Sequence, residues 1–207
     1  MSYLKVTFVF SLFFYGSVIG FDYWTIAQTW PAGFCTHNVC DATKPKPLKF
    51  TIHGLWPSNY TTHQPAFCLS SNLNPTLIHG IVLKLNQDWP SYNSNNSHFW
   101  NYEWKKHGTC SHMSELDYFT HTLDIYTRND LQQILKHANI LHGNTYDIQH
   151  FITAIHTSQV GAEPQLICTK GDLIEIRLCL NKNPVPEYIK CPPPPPKTAC
   201  PANVSFV

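Results

Sequence analysis

The segment Trp100-Asn-Tyr-Glu-Trp-Lys-Lys-His-Gly-Thr-Cys110 combines a helical pattern with three side chains that are common in catalysis. In a helix, Glu103 and His107 lie one turn apart on one face, and Lys106 lies three residues from Glu103. We therefore expect a carboxylate, an ammonium and an imidazole to share one small volume. Glu103 is expected to orient His107 and favour its protonated form, and Lys106 to stabilise a developing anion. Gly108 is expected to end the helix.

A second segment, Phe50-Thr-Ile-His-Gly-Leu-Trp-Pro57, supplies another histidine. Lys49 to His53 is predicted to be a short strand that Gly54 and Pro57 break, which places His53 at a strand end. Two histidines near an anion-stabilising lysine meet the needs of phosphoryl transfer without a metal, because one can act as general base and the other as general acid.

The first 20 residues have the pattern of a signal peptide, with Lys5 before an apolar run and small residues at the cleavage point. The run is too short for a typical membrane span, so we predict secretion and no membrane association. Residues 21–207 are expected to form one domain. Without the leader they carry 13 basic and 13 acidic residues. This balance argues against a broad basic nucleic-acid surface but is compatible with a focused site.

The eight cysteines lie at positions 35, 40, 68, 110, 168, 179, 191 and 200. An even number behind a secretion signal favours disulfides. Zinc binding is the competing interpretation, although no Cys-x-x-Cys pair is present. Glycosylation sequons begin at Asn59, Asn95 and Asn203, in agreement with secretion.

Apolar periodicity predicts strands at both ends of the chain and helices between them. The predicted strands are 21–30, 49–53, 165–170 and 173–180, with the last two joined as a hairpin. Helices are expected from Asn74 to residue 89, over the segment that starts at Trp100, from Ser114, over 130–138, and after a cap at Thr145. Segments 35–47 and 90–97 are expected to be loops, and the prolines at 192–196 to stay outside any sheet interior. The pattern indicates a single α+β domain with an antiparallel sheet core flanked by several helices.

His-Gly-Leu-Trp-Pro at 53–57 and Glu-Trp-x-Lys-His-Gly-Thr-Cys at 103–110 closely resemble the paired active-site motifs of the T2 family of secreted acid ribonucleases. The leader, the cysteine layout and the start Phe21-Asp-Tyr extend the resemblance over most of the mature chain. They point to the plant subgroup that includes the pistil S-RNases of self-incompatibility. The resemblance implies cleavage of RNA by attack of the 2′-hydroxyl on phosphorus, which leaves a 2′,3′-cyclic phosphate, with no cofactor and no metal.

Site residues follow from the resemblance by motif position. His107 matches the general base and His53 the general acid. Glu103 and Lys106 match residues that stabilise the pentacovalent transition state.

Three aromatic residues are candidates for substrate or base binding: Trp56, Tyr102 and Trp100. Trp56 is either a core residue or a stacking platform, and packing is the stronger interpretation for Trp100. Tyr102 stands where some family members have a phosphate-binding histidine. Ser58 stands where members with a strong purine preference often have aspartate, so the base preference stays open.

The resemblance also implies the disulfide pairing. The implied pairs are Cys35 with Cys40, Cys68 with Cys110, Cys168 with Cys200, and Cys179 with Cys191. The pair between residues 68 and 110 would anchor the end of the catalytic helix.

The leading expectation is a secreted, monomeric endoribonuclease of single-stranded RNA with a role in self-incompatibility. An S-like housekeeping, phosphate-scavenging or defence ribonuclease is the closest alternative. Another is a recognition protein in which catalysis is secondary, with segment 58–96 binding a pollen protein of the F-box type. A metal or ligand binder is a further alternative because many of the 12 histidines lie outside the motifs, among them those at 63, 79, 98, 121, 137 and 142.

Overall fold

The computed structural model describes residues 20–61 and 64–207, so the predicted leader up to residue 19 and His63 lie outside the described residues. The elements in chain order are β1 (Tyr23–Thr29), α1 (Pro31–His37), β2 (Thr51–Ser58), α2 (Val82–Asp88), α3 (Asn96–Lys106), α4 (Glu115–Thr127), α5 (Leu131–His137), β3 (Asn144–Asp147), α6 (Ile148–His156), β4 (Gln165–Thr169), β5 (Asp172–Leu180), β6 (Tyr188–Ile189) and β7 (Asn203–Phe206). Short 3-10 helices at His79–Ile81 and Gly108–Cys110 precede α2 and follow α3. Within the described ranges, no helix has the length and apolar character needed to cross a bilayer.

A single sheet of seven strands organises the fold. Its order is β2-β1-β5-β7-β3, and β4 and β6 also pair with β5. All pairings are antiparallel except the contact between β5 and β7. The expected α+β class is confirmed, as is the hairpin formed by β4 and β5.

The two faces of the central strands have different roles. Ile26 of β1 and Ile176 and Leu178 of β5 are at most 1% exposed and belong to one apolar core with Phe119 of α4 and Phe151 of α6. Burying an aliphatic or aromatic side chain of this size contributes about 1.5–3 kcal/mol each. The helices therefore cover one face of the sheet, and the residues that alternate with the core positions point to the other face.

Strand β2 does not end at His53. It continues through Gly54 and Pro57 to Ser58, so the expected break is wrong. Pro57 is tolerated because β2 is an edge strand of the sheet, where a missing N–H need not interrupt a ladder.

A β-bulge occurs at His53. In the pairing of β2 with β1, Gly54 lies opposite Ala27 and Ile52 lies opposite Gln28, which leaves His53 as the extra residue. An extra residue changes the side-chain alternation from that point onwards.

The bulge explains the unusual burial pattern of β2. Ile52 and Leu55 are both core residues, with 1% and 0% exposure, although they are three positions apart. His53 and Trp56, also three apart, are half-buried on the opposite face. A regular strand would have separated each of these pairs onto different faces.

The N-terminal half of the chain departs from two local predictions. Cys35 belongs to helix α1 rather than to a loop, and Pro31 stands at the favoured first position of that helix. Asn74 accepts a hydrogen bond from the Thr76 N–H, but only a turn follows, and the α-helix starts at Val82.

Two further differences concern positions 90–97 and 145. Segment 90–97 was expected to be an exposed loop, but the side chains of Ser91 and Tyr92 are buried. The Tyr92 hydroxyl lies in the interior, 3.1 Å from Thr51 Oγ1. Thr145 lies in β3, and Asp147 caps α6 by accepting a hydrogen bond of 2.7 Å from the Gln149 N–H.

The helix starts predicted at Ser114 and at position 130 are confirmed, and both residues cap their helices. Ser114 Oγ accepts from the Asp117 N–H at the start of α4, and Asp130 accepts from the Gln133 N–H at the start of α5. Both bonds satisfy N–H groups that a helix leaves unpaired.

All eight cysteines form disulfides in the pairing that the resemblance implies: Cys35–Cys40, Cys68–Cys110, Cys168–Cys200 and Cys179–Cys191. The bridge between residues 68 and 110 ties the 3-10 helix after α3 to a distant loop. The end of α3 is thereby fixed in place.

Candidate active site

His53 is held by a carboxylate from another strand. Its Nδ1 lies 2.5 Å from Oε2 of Glu175, which is 5% exposed on β5. Burial acts to lower the pKa of His53, but the negative charge and hydrogen bond of Glu175 outweigh it and raise the pKa. The imidazole is still 35% exposed, so it faces the active-site groove, by which we mean the two hollows lined by His53 and by His107.

Glu175 is in turn fixed by Arg177, whose Nε donates to Oε1 at 2.6 Å. Burial acts to raise the pKa of the Glu175 carboxyl, but His53 and Arg177 together lower it to about 2. The carboxylate is therefore charged over the physiological pH range. His53 reaches this carboxylate across β1, which lies between β2 and β5. The residue of β1 at the crossing point is the small Ala27, which pairs with Gly54 on one side and with Arg177 on the other.

Trp56 lies between the two histidines. Its ring centroid is 5.1 Å from that of His53, in an edge-on arrangement, and 5.1 Å from that of His107, in a stacked one. The Arg177 guanidinium lies 4.9 Å from the same ring. The indole N–H donates to Glu103 Oε2 at 3.1 Å. Trp56 is thus part of the site's framework and not only an apolar residue beside it.

His107 stands at the end of α3 and is 8% exposed. Its Nδ1 is buried and makes no hydrogen bond with any described residue. Burial, followed by the positive charges of Lys106, His53 and Arg177, lowers the pKa of His107 to about 2. The imidazole is therefore neutral over the physiological range.

Glu103 does not orient His107 or favour its protonated form, contrary to expectation. The chain leaves helical geometry at His107, with φ near −118°, and the carboxylate of Glu103 turns instead to Trp56. Glu103 is 1% exposed, and burial is the main reason that its pKa is raised. Gly54 is required beside it, because a Cβ at that position would clash with Glu103 Oε2 and Trp56 Nε1.

Lys106 has a free positive charge at the edge of the groove. Its Nζ lies 5.5 Å from the ring centroid of Tyr102, which is 45% exposed. No carboxylate of the described residues forms an ion pair with it. The charge is therefore available to an anionic ligand.

Trp100 does not reach the groove, so its candidacy for base binding is not supported. It is 2% exposed, and its indole N–H donates to the Trp89 carbonyl at 2.8 Å. Its position on the inner side of α3 places it in the core.

Two hollows flank the histidines. The larger, of about 600 Å³, is lined by Trp56, Lys106 and His107, and the smaller, of about 250 Å³, is lined by His53 and Phe99. Each hollow therefore has one of the two imidazoles in its wall.

The far wall of the larger hollow is formed by residues 192–196, which we call the proline strap. Disulfides flank it at Cys191 and Cys200, and Gln165 Nε2 donates to the Pro192 carbonyl at 2.6 Å. Because proline also restricts φ, the strap is a rigid wall.

Sequence reasoning missed Glu175 and Arg177. The signal that was available is the alternation within 173–180, where two charged residues interrupt an otherwise apolar strand at positions of one face. It indicated a polar face but could not show that this face meets His53.

The predicted glycosylation sites occupy different environments. Asn95 and Asn203 are exposed, whereas Asn59 is half-buried at the rim of the larger hollow. Among residues 20–61 and 64–207, no group of three or more His, Cys, Asp or Glu side chains is arranged to hold a metal.

Comparison with known proteins gives consistent matches along the chain. A sequence profile described as the Ribonuclease T2 family matches residues 21–191. Ribonuclease DdI of Dictyostelium discoideum is 34% identical over 178 residues, covering 83% of this chain and 78% of the relative. Ribonuclease S-4 of Pyrus pyrifolia is 32% identical, covering 94% and 92%. Extracellular ribonuclease LE and intracellular ribonuclease LX of Solanum lycopersicum are 31% and 32% identical.

A solved structure with a similar level of sequence identity has the same fold. The crystal structure of RNase NT in complex with 5′-AMP superposes with a TM-score of 0.80 at 32% identity, covering 90% of this chain and 98% of that one. Since the profile spans most of the chain, and the two histidine segments inside it meet at one groove, the protein belongs to the Ribonuclease T2 family and is a T2-type ribonuclease.

Proposed function

We propose that the protein is an endoribonuclease that cleaves single-stranded RNA by transesterification, with His107 as general base and His53 as general acid. His107 takes the proton of the 2′-hydroxyl, and the 2′-oxygen forms a bond to phosphorus. The bond from phosphorus to the 5′-oxygen breaks, and His53 donates a proton to that oxygen. The products are a 2′,3′-cyclic phosphate and a free 5′-hydroxyl.

The observation that carries this proposal is that the two imidazoles flank Trp56, each with its ring centroid 5.1 Å from that of the indole, in surroundings that favour opposite protonation states. A base must start neutral, and burial beside positive charges keeps His107 neutral. An acid must start protonated, and Glu175 keeps a proton on His53. Environments that separate the pKa values of two groups are typical of an acid and base pair.

Lys106 and Glu103 have different parts in this proposal. Lys106 stabilises the extra negative charge on phosphorus, because its ammonium is unpaired at the groove. Glu103 is too buried to touch the substrate in this structure, and it acts by holding the Trp56 indole. We therefore assign Glu103 a positioning role rather than the transition-state contact that its motif implies.

The substrate is proposed to lie with its reacting phosphate near Trp56 and one nucleoside in each hollow. The larger hollow is mainly apolar, with the charge of Lys106 at its edge, which suits a base attached to a phosphate. That the related RNase NT was crystallised with 5′-AMP supports nucleotide binding by this fold.

Activity assays with single variants test the reaction. We expect the wild type to release cyclic phosphates from RNA between pH 4 and 8, and His53→Ala and His107→Ala to lose at least about a hundredfold in rate. Full cleavage by either variant, or products without a cyclic phosphate, would refute the roles given to these histidines.

The proposed reaction uses no metal, because the nucleophile belongs to the substrate and the histidines move the protons. Activity should be complete in excess chelator. A loss that zinc or magnesium restores would show that a metal takes part.

We further propose secretion and a role as a pistil S-RNase, with an S-like housekeeping, phosphate-scavenging or defence role as the alternative. The four disulfides need an oxidising compartment, which supports secretion. Segment 58–96 exposes apolar side chains suited to a protein partner: Tyr60, Leu69, Leu77 and Leu83. A pollen protein of the F-box type is the partner we expect there.

Expression and processing distinguish these roles. Secretion predicts a mature N-terminus close to Phe21, which N-terminal sequencing of the secreted protein checks. An S-RNase should be expressed in the style and arrest only incompatible pollen tubes. Induction by phosphate starvation without stylar expression would favour the S-like role.

A further inference from the structure

An exposed aromatic pair lies beside Lys106 but outside the two hollows. Phe67 is 55% exposed, Tyr102 is 45% exposed, and their ring centroids are 6.2 Å apart in an edge-on arrangement. Neither residue lines either of the hollows described above. The pair is continuous with the active site, because the Lys106 ammonium lies over the Tyr102 ring.

The backbone holds Phe67 in a conformation that bulky residues avoid. Its φ is +53°, in the left-handed region that glycine and asparagine favour. Two constraints produce this geometry. The Phe67 N–H donates to the Lys106 carbonyl at 2.9 Å, and the next residue, Cys68, is bonded to Cys110.

This conformation costs stability and leaves the ring in solvent. A phenylalanine at this position gains little from burial and pays for backbone strain, so folding alone does not account for it. Strained residues of this kind concentrate at binding and catalytic sites. The ring and Tyr102 together present an aromatic surface with a cation at its edge.

We propose that Phe67 and Tyr102 form a stacking platform for an additional nucleotide of the RNA, beyond the two that flank the reacting phosphate. A flat base can stack on the aromatic surface, while Lys106 at the edge of that surface serves the reacting phosphate of the same strand. Single-stranded nucleic acids are commonly bound by aromatic side chains next to positive charge, with little sequence preference. The inference rests on the proposed ribonuclease function and names a further contact with the same substrate.

The platform should matter only for substrates longer than a dinucleotide. We expect Phe67→Ala to lower kcat/KM for a single-stranded hexanucleotide about five- to tenfold. Its kcat/KM for a dinucleoside monophosphate should equal that of the wild type. Phe67→Tyr, which keeps the ring, should retain hexanucleotide cleavage. Leu48→Ala, which removes an apolar side chain that is 59% exposed and lines neither hollow, serves as the matched control.

Stability measurements separate a binding role from a structural one. Phe67→Gly removes the backbone strain, so its Tm should equal or exceed that of the wild type while hexanucleotide cleavage falls as it does for Phe67→Ala. A structural role would instead lower the Tm.

Equal losses on both substrates in Phe67→Ala, or unchanged hexanucleotide cleavage, would overturn the platform. Dinucleotide cleavage by the wild type tests the proposed ribonuclease function separately, so the two ideas can fail independently.

Discussion

Replacing Glu175 with glutamine should shift the pH dependence of catalysis without changing the shape of the site. Glutamine keeps the size of the side chain and an oxygen that can face His53, but it removes the negative charge that raises the pKa of the imidazole. The pKa of His53 should then fall. The general acid would lose its proton at lower pH, and the alkaline limb of the pH profile of kcat/KM should move to lower pH.

The magnitude follows from the geometry of the pair. A hydrogen bond to a charged group contributes about 1.5–3 kcal/mol net. Because the imidazole is 35% exposed, solvent screens part of this interaction, and the lower part of that range applies. A loss of about 1.5–2 kcal/mol corresponds to a roughly 10- to 30-fold fall in kcat/KM on the alkaline side. On the acidic side, where His53 is protonated in both proteins, the difference should be small.

The assay is kcat/KM for a dinucleoside monophosphate from pH 4 to 8. The chain offers a matched control in Asp172, which belongs to β5 like Glu175 and lies 2.8 Å from His37 of α1. Asp172→Asn removes a second carboxylate–histidine contact, and neither of its residues lines the two hollows. We expect the control to keep the wild-type profile. Superimposable profiles for Glu175→Gln and the wild type would refute the reasoning that Glu175 sets the protonation of His53.

Three further predictions concern stability. Gly54→Ala should lower the free energy of unfolding by about 1–3 kcal/mol and lower kcat/KM, because the added methyl displaces the Glu103 carboxylate. Unchanged Tm and activity would show that Glu103 does not lie against Gly54 as described. Removing the Cys68–Cys110 bridge by a double alanine substitution should cost about 2–5 kcal/mol and lower activity at elevated temperature, and an unchanged melting curve would argue against an anchoring role. Because folding lowers the pKa of His107 from about 6.5 to about 2, its contribution to stability is complete above pH 6.5 and is lost as pH falls, by about 1.4 kcal/mol per pH unit. Urea unfolding from pH 7 to 5 should show this slope, and His107→Gln should show less of it.

The sequence motifs identify the residues of the site, but they do not show which contacts hold those residues in place. The i to i+4 spacing of Glu103 and His107 predicts a helix here, and α3 does form, but it includes Glu103 and ends one residue before His107. The direction of each side chain was not predictable, because it depends on the helix ending at Lys106 and on the position of Trp56 on β2. Local patterns describe which residues are present near one another, whereas contacts between elements decide what each one does.

Glu175 shows the same limit for the sheet. It lies 122 positions after His53, and the two meet only because β1 separates β2 from β5 with Ala27 at the crossing point. Such a meeting depends on the register of two strand pairs at once. Apolar alternation predicts that β5 is a strand, but it does not fix the register with its neighbours.

The bulge at His53 has a consequence for how this part of the chain can vary. Because one extra residue places His53 and Trp56 on the same face, deleting or inserting a single residue within β2 would send one of them into the core and an apolar residue into the groove. A change in the length of this segment should therefore disrupt the site even where every side chain is kept. Homologues that keep the reaction should therefore differ in the lengths of the loops around β2 and not in the number of residues from Ile52 to Trp56.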